Sequence, residues 1–583
     1  MSQQKTCKQC SAEFIIEDED LAFYKKISPT FDGKTFEIPP PELCPQCRIR
    51  TKLAFRNESK FFKIESALSG KSLISQCSPE CRFTIYGQDE WDSDAWDPME
   101  YGRDFDPSKP FLKQLEELNL SVPMPHASLA PDNENSKFIG NASGAKDCYL
   151  ISNSTGAEKC MYGVGLWRSK DCVDCYKIYN CENCYEVTIG YNSYSCFYSQ
   201  NIHNCSESYF LDSCVGCRNC FGCANLNNKQ YWAYNKPSSK EEIEKIISGF
   251  SSSSEKRLQI AQKAKNFIKD QPKKFSQISS SDDSTGNYLD HCKNVKESFF
   301  VTEAENVKYS TNLSESSKDI FDCCFVGMRM DKVYQAVTVG LGVSNLISCS
   351  YVYSDCGNIF YSVYCIHGCN DLFGCVGLRH KQYCVLNKQY SKEDYEKLVA
   401  RIVEHMQKTG EWGQFLPISF SHFGYNDSLA SYFFPISKEE AKKINANWTE
   451  GNYNLKFEGE FYTPSELIST FNPKKNPKAE AEIQKALAGT LKCKETARPF
   501  KIISAEIIFY IRNNLPLPEI HPEVRQSKRF LLCNRFKLYT RQCMCEEQGH
   551  NHEGRCKNEF ETTYAPDRPE RVYCEKCYQK AVL

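Results

Sequence analysis

The chain has 583 residues and 67.0 kDa, with 72 lysines and arginines against 74 aspartates and glutamates and a formal net charge of −2. That size leaves room for several domains, and the near-zero charge excludes an overall field that would draw the protein onto DNA or an anionic membrane. The polar start MSQQKTCKQC lacks the apolar core of a secretory signal and no apolar run approaches a membrane span, so the 34 cysteines point to a reducing cytoplasm and to metal ligation rather than disulfides.

The first element is a pair of C-x2-C knuckles, Cys7/Cys10 and Cys44/Cys47, separated by a strand-rich insert. Four thiolates in this spacing predict a structural zinc ribbon. A second ribbon module is expected to follow, ending IYGQDEW at 85–91. There Gly87 and Glu90 stand at two ligand positions, and Cys77 and Cys81 do not align with the ligands.

Next comes a repeat. Cys148, Cys160, Cys172, Cys184 and Cys196 are spaced by 12, and Ser208 and Cys220 continue the series. A large residue follows each: Tyr149, Met161, Val173, Tyr185, Phe197, Tyr209 and Phe221. Small residues sit three positions earlier (Ala145, Ala157, Ser169, Cys181, Ser193, Cys205, Cys217), and before them stand mostly turn formers (Gly144, Gly156, Arg168, Asn180, Asn192, Asn204, Gly216). One column for each chemistry predicts stacked β-coils, with twelve residues being a whole small coil or half of a larger one.

The unit recurs. FGC at 221–223 returns at 373–375, KQY at 229–231 at 381–383, and Asn235-Lys236 as Asn387-Lys388, all offset by 152. Each copy ends in a predicted helix start of the S-x-x-acid type, Ser239 to Glu242 and Ser391 to Asp394. In the second copy the period is 13, through Phe321, Tyr334, Ile347, Phe360 and Phe373, preceded by Ile320, Val333, Leu346, Ile359 and Leu372. Aliphatic residues thus occupy the cysteine column, and reduced cysteine is itself a small buried hydrophobe, so the column reads as core. The run Cys214-x2-Cys217-x2-Cys220-x2-Cys223 has a spacing reminiscent of iron–sulfur ligands but lacks the C-x3-C-P ending, and its cysteines fall in the repeat's own columns. Residues 250–287 are Ser- and Lys-rich and read as helix plus linker, and 410–490 contain helical stretches such as SKEEAKKINANW and KAEAEIQKALAG.

The C-terminal end copies the N-terminal one. FIIEDEDLAFY (14–24) recurs as FKIISAEIIFY (500–510), and IPPPELCPQCR (38–48) as LPLPEIHPEVR (515–525). Cys493, Thr496, His521 and Val524 then stand at the ligand positions, two of which have lost their ligand. The module after it keeps its thiols: Cys556, Cys574 and Cys577, with one of Cys543 or Cys545 completing the set and His550 and His552 nearby. Two zinc ions per chain are expected. Four-thiolate sites with no open position imply a structural and not a catalytic role.

The expected fold class is mainly β: a duplicated, Cys-rich β-solenoid of 12–13-residue repeats with accessory helices, flanked by a zinc-ribbon pair at each end. The expected domains are a ribbon pair over 1–95, a connector over 96–135, a first solenoid copy over 136–236, helix and linker over 237–287, a second copy over 288–390, a helical region over 391–490 and a ribbon pair over 491–583.

The combination CPQCR…LAFRNESKFFK, WDPMEYGRDFD, SKDCVDC, CFGC…NKQY, GYNDSLASYFFPISKEEA and ETTYAPDRPERVYCEKCY resembles a Cys-rich bacterial family of small-genome lineages, whose members are often automatically labelled CoA-transferases of the CaiB/BaiF type. The resemblance spans nearly the whole chain. It implies zinc-ribbon ends and a Cys-rich repeat, but no established activity. No doubly wound α/β pattern that could hold CoA is present.

No catalytic residue or organic cofactor site stands out, so the expected function is a non-enzymatic zinc-binding scaffold with protein partners. The alternative is an RNA-, DNA- or ribosome-binding ribbon protein. It rests on the basic, aromatic-rich stretches around Arg48–Lys63 and 525–541, in the latter on Arg525, Lys528, Arg529 and Arg535. An enzyme ranks third.

Overall fold

The computed structural model describes residues 2–130, 132–314, 316–451, 457–463, 477–550 and 552–582. Its main repeat is shorter than the sequence suggested. Every third residue from Asn135 to Tyr234 adopts the left-handed conformation, with φ between +43° and +72°. Glycine, asparagine and aspartate tolerate that region, but Tyr162, Lys177 and Ile189 adopt it as well. Each such residue costs roughly 1–2 kcal/mol, a cost that only continuous pairing and packing can offset. From Ile139 to Leu226 the residue after each left-handed one is buried: Cys148, Ile151, Ser154 and Ala157 in one 12-residue segment, Cys214, Cys217, Cys220 and Cys223 in another. Apart from the serines, these residues share one hydrophobic cluster. Four three-residue steps therefore make the 12-residue period, and the cysteine and small-residue columns are two of four equivalent columns.

Successive segments pair in parallel, Tyr149 with Met161, Val164 with Tyr176, Tyr176 with Thr188 and Tyr209 with Phe221, giving an 11-stranded sheet. The second copy forms a 14-stranded sheet. There one step in four takes four residues, from Asn312 to Ser316, Phe325 to Arg329, Thr338 to Gly342 and Tyr351 to Asp355. The pairing offset widens accordingly: Ile320 pairs with Val333, Val333 with Leu346 and Leu346 with Ile359, before Leu372 returns to an offset of 12 with Cys384.

The recurring asparagine closes each stack. Asn387 accepts from Val376 N–H and donates to Val376 C=O, both at 2.7 Å, and Asn235 does the same for Ala224 at 2.9 and 3.0 Å. Its amide stands in for the strand that would have come next. Both predicted helix starts are present: Ser239 caps Lys240–Phe250 and Ser391 caps Lys392–Thr409 through their hydroxyl oxygens.

The buried thiols act as donors. Cys172 Sγ lies 3.2 Å from Lys170 C=O and 3.5 Å from Cys181 C=O, a pattern that Cys160, Cys214, Cys217, Cys220 and Cys223 repeat with their own neighbours. Ser169 makes the same two bonds through Oγ. Burial pushes the isolated thiols up, Cys349 to about 12. A neutral S–H donor is what these positions use, so Cys172→Ser should be tolerated. Cys172→Ala should cost on the order of 1–2 kcal/mol, with metal content unchanged in both. Denaturant titration and elemental analysis check this, and loss of a metal ion on either substitution would contradict it.

The large residues after the cysteine-column positions lie outside the stack, most of them covered by the end modules and Phe221 by the helices Lys240–Phe250 and Ser254–Asp270. Met161, Val173, Tyr185 and Phe197 pack against Ile507, Phe509 and Tyr510 of the C-terminal module. Phe321, Tyr334, Ile347, Phe360 and Phe373 pack with Phe23, Tyr24, Phe31 and Phe36 of the N-terminal module, and Phe23 stacks on Phe321 at 3.7 Å. The arrangement is crossed: the N-terminal module covers the second copy and the C-terminal module the first.

One expectation needs amendment. The end of the predicted linker is structured: Lys273–Lys274 runs parallel to Val572–Tyr573, and Ile278 pairs with Leu289. The free backbone edges of the C-terminal module and of the second stack recruit it. In the expected helical region, Lys438–Lys443 and Pro477–Ala488 are helices, while 452–456 and 464–476 lie outside the described residues. No described helix is long and apolar enough to cross a membrane.

Candidate metal centres

The N-terminal centre is built on a tight turn and a helix start. The hairpin Gln3–Thr6/Glu13–Ile16 runs into a turn in which Ser11 N–H donates to Cys7 C=O at 3.0 Å and Cys7 N–H to Ala12 C=O at 2.9 Å. Cys44 is the N-cap of the helix Pro45–Leu53, whose proline at the first position needs no hydrogen-bond acceptor, and Cys47 lies in its first turn. The positive end of that helix favours thiolates, and hydrogen bonds from the Cys47 side chain and N–H pull Cys44 down to about 5. The Sγ atoms of Cys7, Cys10, Cys44 and Cys47 lie within 4.8 Å of one another, with Cys10 and Cys44 at 3.7 Å. A tetrahedron with 2.3 Å metal–sulfur bonds has edges of about 3.8 Å. The donor set fits a metal ion.

At the C-terminus Cys543, Cys556, Cys574 and Cys577 converge in the same way. Cys543 follows the strand Tyr539–Gln542, Cys574 precedes the helix Glu575–Val582, and Cys574 N–H donates to Cys543 Sγ at 3.2 Å. Of the two open candidates, Cys543 thus belongs to the tetrad. Cys545 belongs to a neighbouring group with His550, His552 and Cys577.

Where the sequence predicts ligand positions without ligands, other contacts are made. Near Cys493, Cys493 N–H bonds Arg498 C=O and Ala497 N–H bonds Cys493 C=O, both at 2.9 Å, the same pattern as the turn at Cys7. His521 N–H donates to Cys493 Sγ at 3.3 Å, and His521 Nδ1 accepts from Glu523 N–H at 3.2 Å, while burial lowers its imidazolium to about 4. Toward the end of the N-terminal region, at a position predicted to have lost its ligand, stands the Glu90 carboxylate. It accepts from the Ser66 hydroxyl and the Gly87 N–H, and together with Ser69 these donors hold it below the usual carboxylate range. Cys81 Sγ donates to His422 C=O at 3.4 Å, and Cys77 and Cys81 belong to none of the convergent groups among the described residues.

The residues expected to meet nucleic acid divide. Arg525 and Arg529 are 6% and 4% exposed and both bind the Asp174 carboxylate, Arg529 Nη1 at 2.8 Å, while Arg525 also reaches Glu506. They are docking residues that lock the C-terminal module onto the first stack, not a surface patch. Basic side chains without adjacent acids in sequence found their acids in another element. Arg48 does the same on the other side, its Nε 2.6 Å from the fully buried Asp322, and Arg56 pairs with Glu58. Asp174 and Asp322 both occupy left-handed positions, φ +55° and +57°. Lys528 is exposed and paired with Glu495, and Arg535 is exposed. Sequence reasoning gave Asp174 and Asp322 no role, because their partners lie hundreds of residues away.

Between the two stacks lies a cleft of about 1060 Å³ that the sequence did not signal, lined among others by Trp167, Tyr179, Lys177, Arg56, Tyr353 and Arg379. Arg56 spans it, bonding Asn153 of the first copy and Thr338 of the second. Lys177 bonds Asn312 and sits 3.8 Å over the Phe300 ring, and burial lowers its ammonium to about 7.

No family model and no curated protein matches this chain.

Proposed function

We propose that the chain is a non-enzymatic zinc-binding scaffold built on a duplicated β-solenoid, a member of the Cys-rich family its motifs resemble, working in the reducing cytoplasm with protein partners. The observation that carries the reading is the pair of closed four-thiolate sets, one at each end; the helix Pro45–Leu53, which follows Cys44 and contains Cys47, and the helix Pro522–Leu532, which precedes the C-terminal set, grip the stacks through buried arginines. Four cysteines in tetrahedral reach are a zinc donor set, and they leave no position open for a substrate. The solenoid reading rests on the parallel pairing at offsets of 12 and 13 and on the three-residue step beneath it. Such stacks offer long surfaces for partners.

The nucleic-acid alternative loses Arg525 and Arg529 to Asp174, and only Lys528 and Arg535 of its four residues stay at the surface. Affinity pull-down from the native cell, analysed for both protein and RNA, tests the choice. Defined proteins should be recovered, and the variant Lys528→Glu/Arg535→Glu should recover the same ones. RNA binding driven by phosphate contacts would weaken steeply with salt. Tight binding to one RNA at physiological salt, abolished by the double charge reversal, would replace the scaffold reading with the alternative.

A further inference from the structure

We propose that the C-terminal module holds two metal ions rather than one, the second bound by Cys545, His550, His552 and a Cys577 thiolate shared with the four-cysteine site. This goes beyond the two closed tetrads and raises the expected content to three ions per chain.

The ligand atoms of Cys545, His550, His552 and Cys577 lie within 4.8 Å of one another, as do those of Cys543, Cys556, Cys574 and Cys577. Cys545 Sγ is 3.2 Å from His550 Nδ1, and Cys577 Sγ is 3.5 Å from His552 Nε2. With metal–sulfur bonds of 2.3 Å and metal–nitrogen bonds of 2.0–2.1 Å, a tetrahedral ion sets sulfur–nitrogen edges of about 3.6 Å. Both separations fit.

The outer nitrogens are engaged in the sense a ligand requires. His552 Nδ1 is 2.8 Å from Gly554 C=O, which can only accept, so the proton sits on Nδ1 and the lone pair of Nε2 faces the site. His550 Nε2 is 3.5 Å from the Glu547 carboxylate, which favours a proton there and leaves the Nδ1 lone pair directed at Cys545. Carbonyl or carboxylate partners of this kind orient metal-bound histidines. Cys545 itself is fully buried, a position with no gain for a lone reactive thiol.

Charge favours sharing. One dication among four thiolates leaves two negative charges in a largely buried module. A second dication brought in with one further thiolate and two neutral imidazoles leaves one, lowering the desolvation cost. A thiolate sulfur has lone pairs enough to bridge both ions. No open position results, so the second ion is structural.

The test uses the full-length protein loaded with zinc. Elemental analysis should find three ions per chain. His550→Asn/His552→Asn should reduce the count to two, and Cys577→Ser should remove both C-terminal ions and leave the N-terminal one. Loading wild-type protein with ¹¹³Cd instead should give two C-terminal resonances, split by mutual coupling through the shared sulfur. The paired histidine substitution should abolish one resonance and the splitting of the other. Two ions per chain in wild type, unchanged in the histidine variant, would overturn the proposal while leaving the scaffold reading intact. So would three uncoupled cadmium resonances. Failure of the scaffold's own zinc sites would show differently, as loss of the ion held by Cys7, Cys10, Cys44 and Cys47.

Discussion

Cys44→Ser should lose the N-terminal ion and release the module over residues 3–53 from the aromatic face it covers. Metal binding at a structural four-ligand site is folding free energy, on the order of 10 kcal/mol or more for small zinc domains. An ion held by these four thiols would join a hairpin turn to a helix start. Without it, the hydrophobic contacts of Phe23, Phe31 and Phe36 with the second stack, each about 1.5–3 kcal/mol, must also meet the cost of ordering the whole segment. They should not suffice. Trp412 reports the change, because its indole is buried and donates to Glu37 C=O at 2.9 Å. The expected result is one ion fewer, a red-shifted tryptophan emission and new tryptic cleavage at Lys25 or Lys26. Loss of the ion with unchanged emission and cleavage would mean that docking holds the module without metal. Cys574→Ser should act likewise at the other end.

Asp174→Asn should be as damaging to the C-terminal half, and by a different route. The Asp174 carboxylate is fully buried and neutralises Arg525 and Arg529 together. An amide of the same shape leaves Arg525 facing Glu506, a carboxyl that burial already pushes up and Arg525 draws down, and takes from Arg529 its ion pair with Asp174. Breaking a buried pair by removing one partner typically costs about 3–5 kcal/mol, because the remaining charge is uncompensated. Asp322→Asn should do the same to Arg48. The decisive variant removes every charge of the network: Asp174→Asn/Glu506→Gln/Arg525→Met/Arg529→Met should recover most of the lost stability, since no buried charge is then left uncompensated. Urea denaturation of the single and combined variants measures both effects. A single variant as stable as wild type would show that the network contributes nothing to docking.

Much of this was legible in the sequence because it depends on spacing along the chain. Two C-x2-C pairs bring four thiolates within reach of one ion wherever the chain can close a turn and start a helix, as Cys7 to Cys47 do. The offsets of 12 and 13 had to appear, since each segment of a parallel stack repeats its neighbour's side-chain demands, and Asn235 and Asn387 mark where the repetition stops. The likeness of the two ends was visible in residues and is kept in backbone: the left-handed Ser11 of one knuckle is the left-handed Ala497 of the other.

Tertiary structure decided what spacing leaves equivalent. Cys543 and Cys545 are two residues apart, so spacing leaves them equivalent, and only the packing of the helix Glu575–Val582 selects which one joins Cys574. Periodicity of 12 is compatible with several coil shapes, and the backbone sign at every third residue, which side-chain identity only partly signals, made it four short steps. The crossed docking of the ends set the fate of the arginines. A guanidinium reads as surface charge in sequence, but Arg48, Arg525 and Arg529 are carried by helices whose apolar faces bury against a stack, and the carboxylate each meets there belongs to a residue that only that long-range contact brings near. Local chemistry is a property of short segments. Which charge is neutralised, and which cysteine joins a tetrad, depends on surfaces that meet only when the whole chain has folded.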